Sequence, residues 1–163
     1  MIRVHSYESM GTYDGPGLRL VIFLQGCNFK CLYCANPDTI AAGEGKLTDP
    51  QEIIRMATDQ RPFFGKKGGV TFSGGEPTFQ AKELLPIVKE LKFHGIHVCL
   101  DSNGGVWNPA VEELLAEVDL VLLDVKQASC PKHEALTGRS NVQTLRTAAW
   151  LVEHGKPFWL RYV

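Results

Sequence analysis

Five short runs of β-forming, mostly apolar residues recur along the chain with helix-patterned segments between them. This alternation is the tightest constraint on the fold. The runs are residues 18–25 (LRLVIFLQ), 69–73 (GVTFS), 96–101 (IHVCLD), 120–124 (LVLLD) and 158–163 (FWLRYV). Near-continuous apolar runs suit strands buried on both faces of a parallel sheet. The first helix opens at Asp49-Pro50-Gln51-Glu52, with an N-cap aspartate, proline where no N–H is needed, and an acid in the first turn. Ile53, Ile54 and Ala57 can form its buried stripe. Leu84, Leu85, Val88 and Leu91 repeat at helical spacing and stop at His94-Gly95. Asn108-Pro109 opens a third helix carrying Val111, Leu114, Leu115 and Val118, and Val142, Leu145, Ala149 and Val152 predict the apolar stripe of a fourth, closed by His154-Gly155. Strand–helix–strand order implies right-handed parallel crossovers, so the expected class is α/β with an open or barrel-like sheet. No linker or low-complexity stretch divides residues 1–163, and a single domain is expected. The glycine-rich pieces at 65–69 and 73–75 read as loops at the two ends of the second strand.

Hydrophobic residues at 44% against 21% charged exclude a disordered chain. Seventeen basic and eighteen acidic residues leave a formal charge of −1, a balance that recruits neither nucleic acid nor an anionic membrane. The N-terminal residues MIRVHSYESMGTYDGPG lack a basic stretch followed by an apolar core. No segment approaches the ~20 apolar residues of a membrane span. A soluble, cytoplasmic protein is expected. The five cysteines are an odd number, and three of them fall within eight residues. That clustering disfavours a disulfide framework and points to a metal or cluster site in a reducing compartment.

The three are Cys27, Cys31 and Cys34, spaced CxxxCxxC immediately after the first strand. Thiolates on a short loop can wrap three corners of a cubic iron–sulfur cluster, which normally takes four cysteines. Cys99 and Cys130 lie far along the chain, so three ligands would leave one iron open to a small molecule. A zinc site drawing on Cys130 and His133, or three unliganded thiols, stay open on spacing alone. A second motif, Ser73-Gly74-Gly75-Glu76-Pro77, ends the second strand. Its glycines let a ligand approach the backbone closely, and Glu76 puts a carboxylate at the sheet edge where α/β proteins bind ligands.

Together, CxxxCxYC after the first strand and GGEP after the second resemble the radical S-adenosylmethionine (SAM) enzymes. The resemblance extends through His5-Ser6-Tyr7-Glu8-Ser9, residues 12–17 (TYDGPG), Arg19, Gln25-Gly26-Cys27, Asn36-Pro37-Asp38-Thr39, residues 99–104 (CLDSNG) and residues 120–127 (LVLLDVKQ). Along essentially the whole chain it is similar to the pyruvate formate-lyase-activating enzyme family. This implies a partial (β/α) barrel of the radical SAM type with about five parallel strands, the last βα units and a histidine near SAM lying beyond this chain. It implies a [4Fe–4S] cluster on Cys27, Cys31 and Cys34, and reductive cleavage of SAM that makes a glycyl radical on a partner enzyme, pyruvate formate-lyase. Tyr33 would pack near the adenine, with Cys34, Ala35 and Asn36 beside it. Gly74, Gly75 and Glu76 would hold the methionine amino group. Ser102, Asp124, Val125 and Lys126 would contact SAM, Lys126 at its carboxylate. Asp101, Ser102 and Asp124, with a carbonyl near Leu122, would match a monovalent-cation site. Asp14 would meet the incoming peptide, and a flavodoxin or ferredoxin would donate the electron.

The chain departs from the family in having Ala35 where a histidine is frequent. No cysteine lies between Cys34 and Gly74, so no auxiliary cluster is expected there. Activases of anaerobic ribonucleotide reductase are an alternative of naturally short length, and an inactive metal-binding fragment is another; the DGPG and LDVKQ segments favour the pyruvate formate-lyase type. Elsewhere, Cys99 reads as a core thiol, Cys130-Pro131-Lys132-His133 as a loop, and His94 and His154 as helix-terminal groups. Trp107, Trp150 and Trp159 read as packing or partner-contact residues.

Overall fold

The computed structural model describes residues 1–162; Val163, the last residue of the fifth expected run, lies outside the described residues. The strands are β1 (Ile2–Gly11), β2 (Arg19–Leu24), β3 (Lys46–Thr48), β4 (Gly69–Gly74), β5 (His97–Ser102), β6 (Leu120–Val125) and β7 (Phe158–Tyr162). They form one sheet in the order β3-β1-β2-β4-β5-β6-β7. From β2 to β7 along this order all neighbours are parallel, which makes the five parallel strands that the apolar runs predict. Strands β1 and β3 extend the sheet antiparallel. Strand β1 escapes a search for apolar runs because only Ile2, Val4 and Gly11 along it are buried, the half-exposed pattern of an antiparallel strand.

The helices are α1 (Pro50–Phe64), α2 (Ala81–Phe93), α3 (Pro109–Glu117), α4 (Cys130–Thr137) and α5 (Val142–Glu153). Their starts follow local chemistry: Asp49 accepts from the Gln51 N–H at 2.9 Å and Asn108 from the Val111 N–H at 3.1 Å. His94 and His154 cap α2 and α5, each followed by a glycine of positive φ. No helix among the described residues is long and apolar enough to cross a membrane.

Strand residues alternate between two faces, and the two faces differ in character. Leu20, Ile22, Leu24, Val70, Phe72, Val98, Leu100, Val121 and Leu123 pack with Ile53, Leu84, Ile87, Leu91 and Leu114 into one apolar core under the helices. Each such side chain stabilises the fold by roughly 1.5–3 kcal/mol on burial. The intervening positions, which include Arg19, Thr71, Ser73, Asp101, Asp124 and Arg161, belong to the opposite face. Several apolar runs therefore carry polar groups at alternate positions, and these reach the site.

Two expectations are corrected. The stripe of Val142, Leu145 and Val152 on α5 is exposed, at 48%, 46% and 66%, and the buried residues are Thr144, Thr147 and Leu151. Helix α5 packs on backbone rather than on a leucine stripe. The Thr144 hydroxyl donates to the Asn103 carbonyl at 2.7 Å and the Thr147 hydroxyl to the Gly104 carbonyl at 2.8 Å. Residues 130–133 form the first turn of α4, not a loop. The last turn of α4 receives the cysteine loop through Lys30 N–H to the Thr137 carbonyl (2.8 Å) and Leu32 N–H to the Leu136 carbonyl (2.9 Å). Buried His133 meets Phe29 edge-on with ring centroids 5.2 Å apart.

Replacing Thr147 with the near-isosteric valine should destabilise the fold by about 1–3 kcal/mol, because it strands the Gly104 carbonyl. Val152→Thr on the same helix should stay within about 0.5 kcal/mol. Urea denaturation of the two variants checks this; equal effects would contradict the packing of α5 on backbone carbonyls.

Candidate functional site

The cysteine loop leaves β2 through Gln25 and Gly26 and returns along α4. Its first thiol, Cys27, is half-buried and already has donors aimed at it: the Phe29 N–H at 3.4 Å and the Asn103 amide at 3.8 Å from its Sγ. Burial pushes the Cys27 thiol up to about 12, with the charges of Glu76, Cys31 and Cys34 adding to the effect. Burial also raises Cys31, opposed by the Lys126 cation. The three thiols thus lie within one another's field, yet among the described residues no three Cys, His, Asp or Glu side chains converge as for a single metal ion. Of the distant partners that a closed zinc site would need, neither is aimed at the three cysteines by a bond, and the buried His133 Nε2 has no hydrogen-bond partner among the described residues. The Cys130 thiol faces Glu134 at 3.7 Å, and the His133 Nδ1 pairs with the Arg139 carbonyl at 2.6 Å.

Beside this loop, at the C-terminal edge of the parallel strands, lies a cavity of about 250 Å³. Cys34, Ala35 and Asn36 of the loop line it together with residues 73–75 and with Asp101, Asn103 and Asp124. Asp14, carried on the loop between β1 and β2, lines it as well.

The glycines of the GGEP motif are required first by the sheet. Gly74 has φ 103°, and a Cβ there would fall 2.4 Å from the Leu24 nitrogen; one at Gly75 would fall 2.3 Å from the Gly26 carbonyl oxygen. Both backbones nevertheless line the cavity. Glu76 does not. Its carboxylate is 1% exposed and accepts from the Thr78 N–H (3.1 Å), the Thr78 hydroxyl (2.6 Å), the Ser102 hydroxyl (2.8 Å) and the Asn103 N–H (2.7 Å). Three donors on one oxygen and one on the other hold the carboxylate in place, and it fastens the end of β4 to the end of β5.

The cavity's ionic wall is continuous. Asp124 accepts from Lys126 Nζ at 2.6 Å and from Arg161 Nε at 2.6 Å. The other arm of the Arg161 guanidinium pairs with Asp101, which also accepts from the Ser73 hydroxyl at 3.0 Å. Burial pulls the Lys126 ammonium down, but Asp124 overcomes this and raises it. Burial pushes the Asp101 carboxyl up, with Arg161 opposing and Asp124 adding. Tyr33 approaches the same segment through its hydroxyl, 3.5 Å from the Lys126 carbonyl, while Val125 is buried inside β6.

The grouping expected for a monovalent cation does not assemble. Asp101 and Ser102 are adjacent in β5 and so face opposite sides; Ser102 turns to Glu76, and Arg161 already bridges the two aspartates. Arg161 and Asn103 are the residues that sequence reading missed as site residues. Strand parity was the available signal for the arginine, which pairs in register with Asp124.

The donor set fits an iron–sulfur cluster. Cys27 and Cys31, whose thiols burial raises, with N–H donors already directed at the Cys27 sulfur, suit a group whose positive charge replaces the protons, and Cys34 reaches the cavity rim where an open iron would be useful. The sequence profile of the radical SAM superfamily matches residues 21–163. The chain belongs to the radical SAM superfamily. It is 43% identical over 164 residues to pyruvate formate-lyase 1-activating enzyme of Escherichia coli, an alignment covering 99% of this chain and 67% of that one. It is 42% identical over 168 residues to pyruvate formate-lyase-activating enzyme of Staphylococcus epidermidis, covering 98% and 67%. Among solved structures, a domain of pyruvate-formate lyase-activating enzyme from Bacteroides vulgatus superposes with a TM-score of 0.54 at 29% identity, over 58% of this chain and 59% of that one. Streptococcus suis SuiB bound to precursor peptide SuiA gives 0.69 at 24% identity, over 88% and 32%, a likeness of fold alone.

In the metal-free radical SAM chain, Cys27 should react with iodoacetamide at pH 8 roughly 50-fold more slowly than a free thiol. The raised pKa cuts the thiolate fraction, and the more basic thiolate partly compensates. Peptide mapping by mass spectrometry reads the rate at each cysteine. Alkylation of Cys27 at the free-thiol rate would contradict the burial described here.

Proposed function

We propose that the chain is a glycyl-radical-enzyme activase: it cleaves SAM reductively at a [4Fe–4S] cluster and generates a glycyl radical on a partner enzyme, pyruvate formate-lyase. The observation that carries the reading is one cavity lined by both Cys34 and Asp124, with Lys126 paired to Asp124 beside it. The identity to pyruvate formate-lyase-activating enzymes over 99% of the chain selects the partner class. On this reading residues 1–163 act as a single radical SAM domain.

When bound, the cluster supplies the electron for cleavage of SAM. Everything else is binding and orientation by this chain. Cys27, Cys31 and Cys34 hold the cluster. Lys126, steadied by Asp124, offers a compact positive charge to the methionine carboxylate. The backbone at Gly74 and Gly75, rather than the Glu76 carboxylate, faces the methionine amino group. Tyr33, Ala35 and Asn36 frame the adenosine, to which Val125, its side chain on the core face, offers only backbone. Asp14 meets the incoming peptide. A flavodoxin or ferredoxin supplies the electron across the exposed side of the cysteine loop, where Leu32 is 80% exposed and Lys30, Lys132 and Arg139 are exposed. This reading includes no monovalent cation.

Anaerobic reconstitution with iron and sulfide should give about four irons per chain. With reductant and SAM the product should contain 5′-deoxyadenosine, and electron paramagnetic resonance should show a glycyl radical on added pyruvate formate-lyase. A protein that binds only zinc, with no spectral response to SAM, would overturn the proposal; a radical formed only on anaerobic ribonucleotide reductase would reassign the partner. Lys126→Met should weaken SAM binding about 10- to 100-fold by calorimetry, the value of one charge-assisted contact, while iron content stays constant.

A further inference from the structure

Arg19 is the largest fully buried side chain of the polar sheet face, and no step above uses it. None of its hydrogen-bond partners is a carboxylate. Its Nε donates to the Thr71 hydroxyl at 2.5 Å, one terminal nitrogen to the Pro16 carbonyl at 2.8 Å, and the other to the Val70 carbonyl at 2.6 Å and the His97 carbonyl at 3.2 Å. The second nitrogen also lies 3.3 Å from His97 Nδ1. A buried guanidinium without a paired acid is uncommon, because desolvation is then offset by dipoles alone. Its fork of donors must therefore organise something worth the desolvation.

What it organises is the loop of residues 12–17. Among the described residues this loop makes no main-chain to main-chain hydrogen bonds. The Pro16 carbonyl is held by Arg19 directly. The Asp14 carbonyl is held through a relay: because Arg19 donates to the Thr71 oxygen, the Thr71 hydroxyl proton is free to point outward, and it donates to Asp14 at 2.6 Å. At the far end Gly17 has φ 72°, and a Cβ there would fall 2.5 Å from the Gly68 nitrogen, so the loop is seated against the turn before β4. Between these fixed points the Asp14 side chain is delivered to the cavity, half-buried beside Asp101 and Asp124.

We propose that Arg19, acting through Thr71, is a positioning residue that latches the 12–17 loop so that Asp14 stands at the cavity mouth, and that it sets affinity for the partner's glycine-bearing peptide without setting affinity for SAM. The assignment of the peptide rests on the function proposed above; the latch does not. None of the hydrogen bonds of Arg19 reaches a residue that lines the cavity, and its charge acts there on Asp14, the loop's own residue.

The experiment uses the full chain with its cluster reconstituted, as wild type, Arg19→Lys, Thr71→Val and Thr71→Ser. Tyr13, 92% exposed on the loop, is a chymotrypsin site and reports its order. Loss of one buried hydrogen bond corresponds to about tenfold. Cleavage after Tyr13 should accelerate by about that factor in Arg19→Lys and Thr71→Val, and KM for pyruvate formate-lyase should rise by the same factor. The kcat and the SAM Kd should stay within about twofold, a change too small for a lost hydrogen bond. Thr71→Ser retains the hydroxyl and should match wild type. Should Arg19→Lys fail to fold, Thr71→Val decides alone. Unchanged cleavage at Tyr13 in Thr71→Val, or a fall in SAM affinity equal to the fall in partner affinity, would overturn the latch. A wild-type chain that makes no glycyl radical would refute the proposed function while the proteolysis still judges the latch.

Discussion

The Glu76 carboxylate is the point on which the site's geometry depends. Taking a carboxylate out of water costs several kcal/mol unless its oxygens are satisfied, and here all four contacts come from the chain's own donors. Two of those donors belong to β5 and the turn after it, Ser102 and Asn103. Asn103 continues the network in two directions. Its side-chain amide donates to Asn28 at 2.9 Å and toward the Cys27 sulfur, and its carbonyl accepts from Thr144 of α5. One buried carboxylate thus ties the ends of β4 and β5, the cysteine loop and a distant helix into a single frame. The same charge raises the Cys27 thiol, so the frame that positions the thiol also keeps it protonated until a metal replaces the proton.

On the other face of the same strands the charges are arranged to be used rather than sealed. Asp101 and Asp124 stand on neighbouring strands and would repel at close range. The Arg161 guanidinium, planar and forked, pairs with both, which a compact ammonium could not do in one plane. Lys126 then needs only one oxygen of Asp124, leaving its remaining donors for a ligand. Strand β7 therefore contributes to the site although it lies at the sheet's edge, and the place expected for a metal ion is held by protein.

Much of this was legible from residues alone. The parallel strands were marked by apolar runs, the helix starts by Asp49-Pro50 and Asn108-Pro109, and the site by cysteine spacing followed by GGEP. The failures share one cause: sequence pattern reports what is apolar, and several decisive contacts here are between hydroxyls or charges and backbone. The buried face of α5 was read from its valines when threonines form it. Glu76 was read as a ligand-facing acid because nothing in a linear motif shows that four donors already surround it. Ser102 was grouped with Asp101 by family resemblance, although neighbours in a strand face opposite sides. Residues 130–133 were read as a loop because a proline and a short polar stretch hide a two-turn helix whose one buried ring is a histidine.

Strand parity also explains why the substrate loop and the cofactor cavity can be tuned separately. Along β4 and β5 the inward positions come in tiers: Thr71 then Ser73, Cys99 then Asp101. Successive tiers are two residues apart, about 6.5 Å along a strand. The lower positions, Thr71 and, two residues below it in register, Arg19, bond to the loop backbone at Asp14 and Pro16. The upper positions, Ser73 and Asp101 in one tier and Asp124 in the next, face the cavity. Asp14 links the two, its carbonyl bonded to Thr71 and the residue lining the cavity, and burial raises its carboxyl against the pull of Arg161 and Arg19. A change to the lower tier must therefore pass through one residue to reach the cavity, and that residue is the one placed to meet an incoming chain.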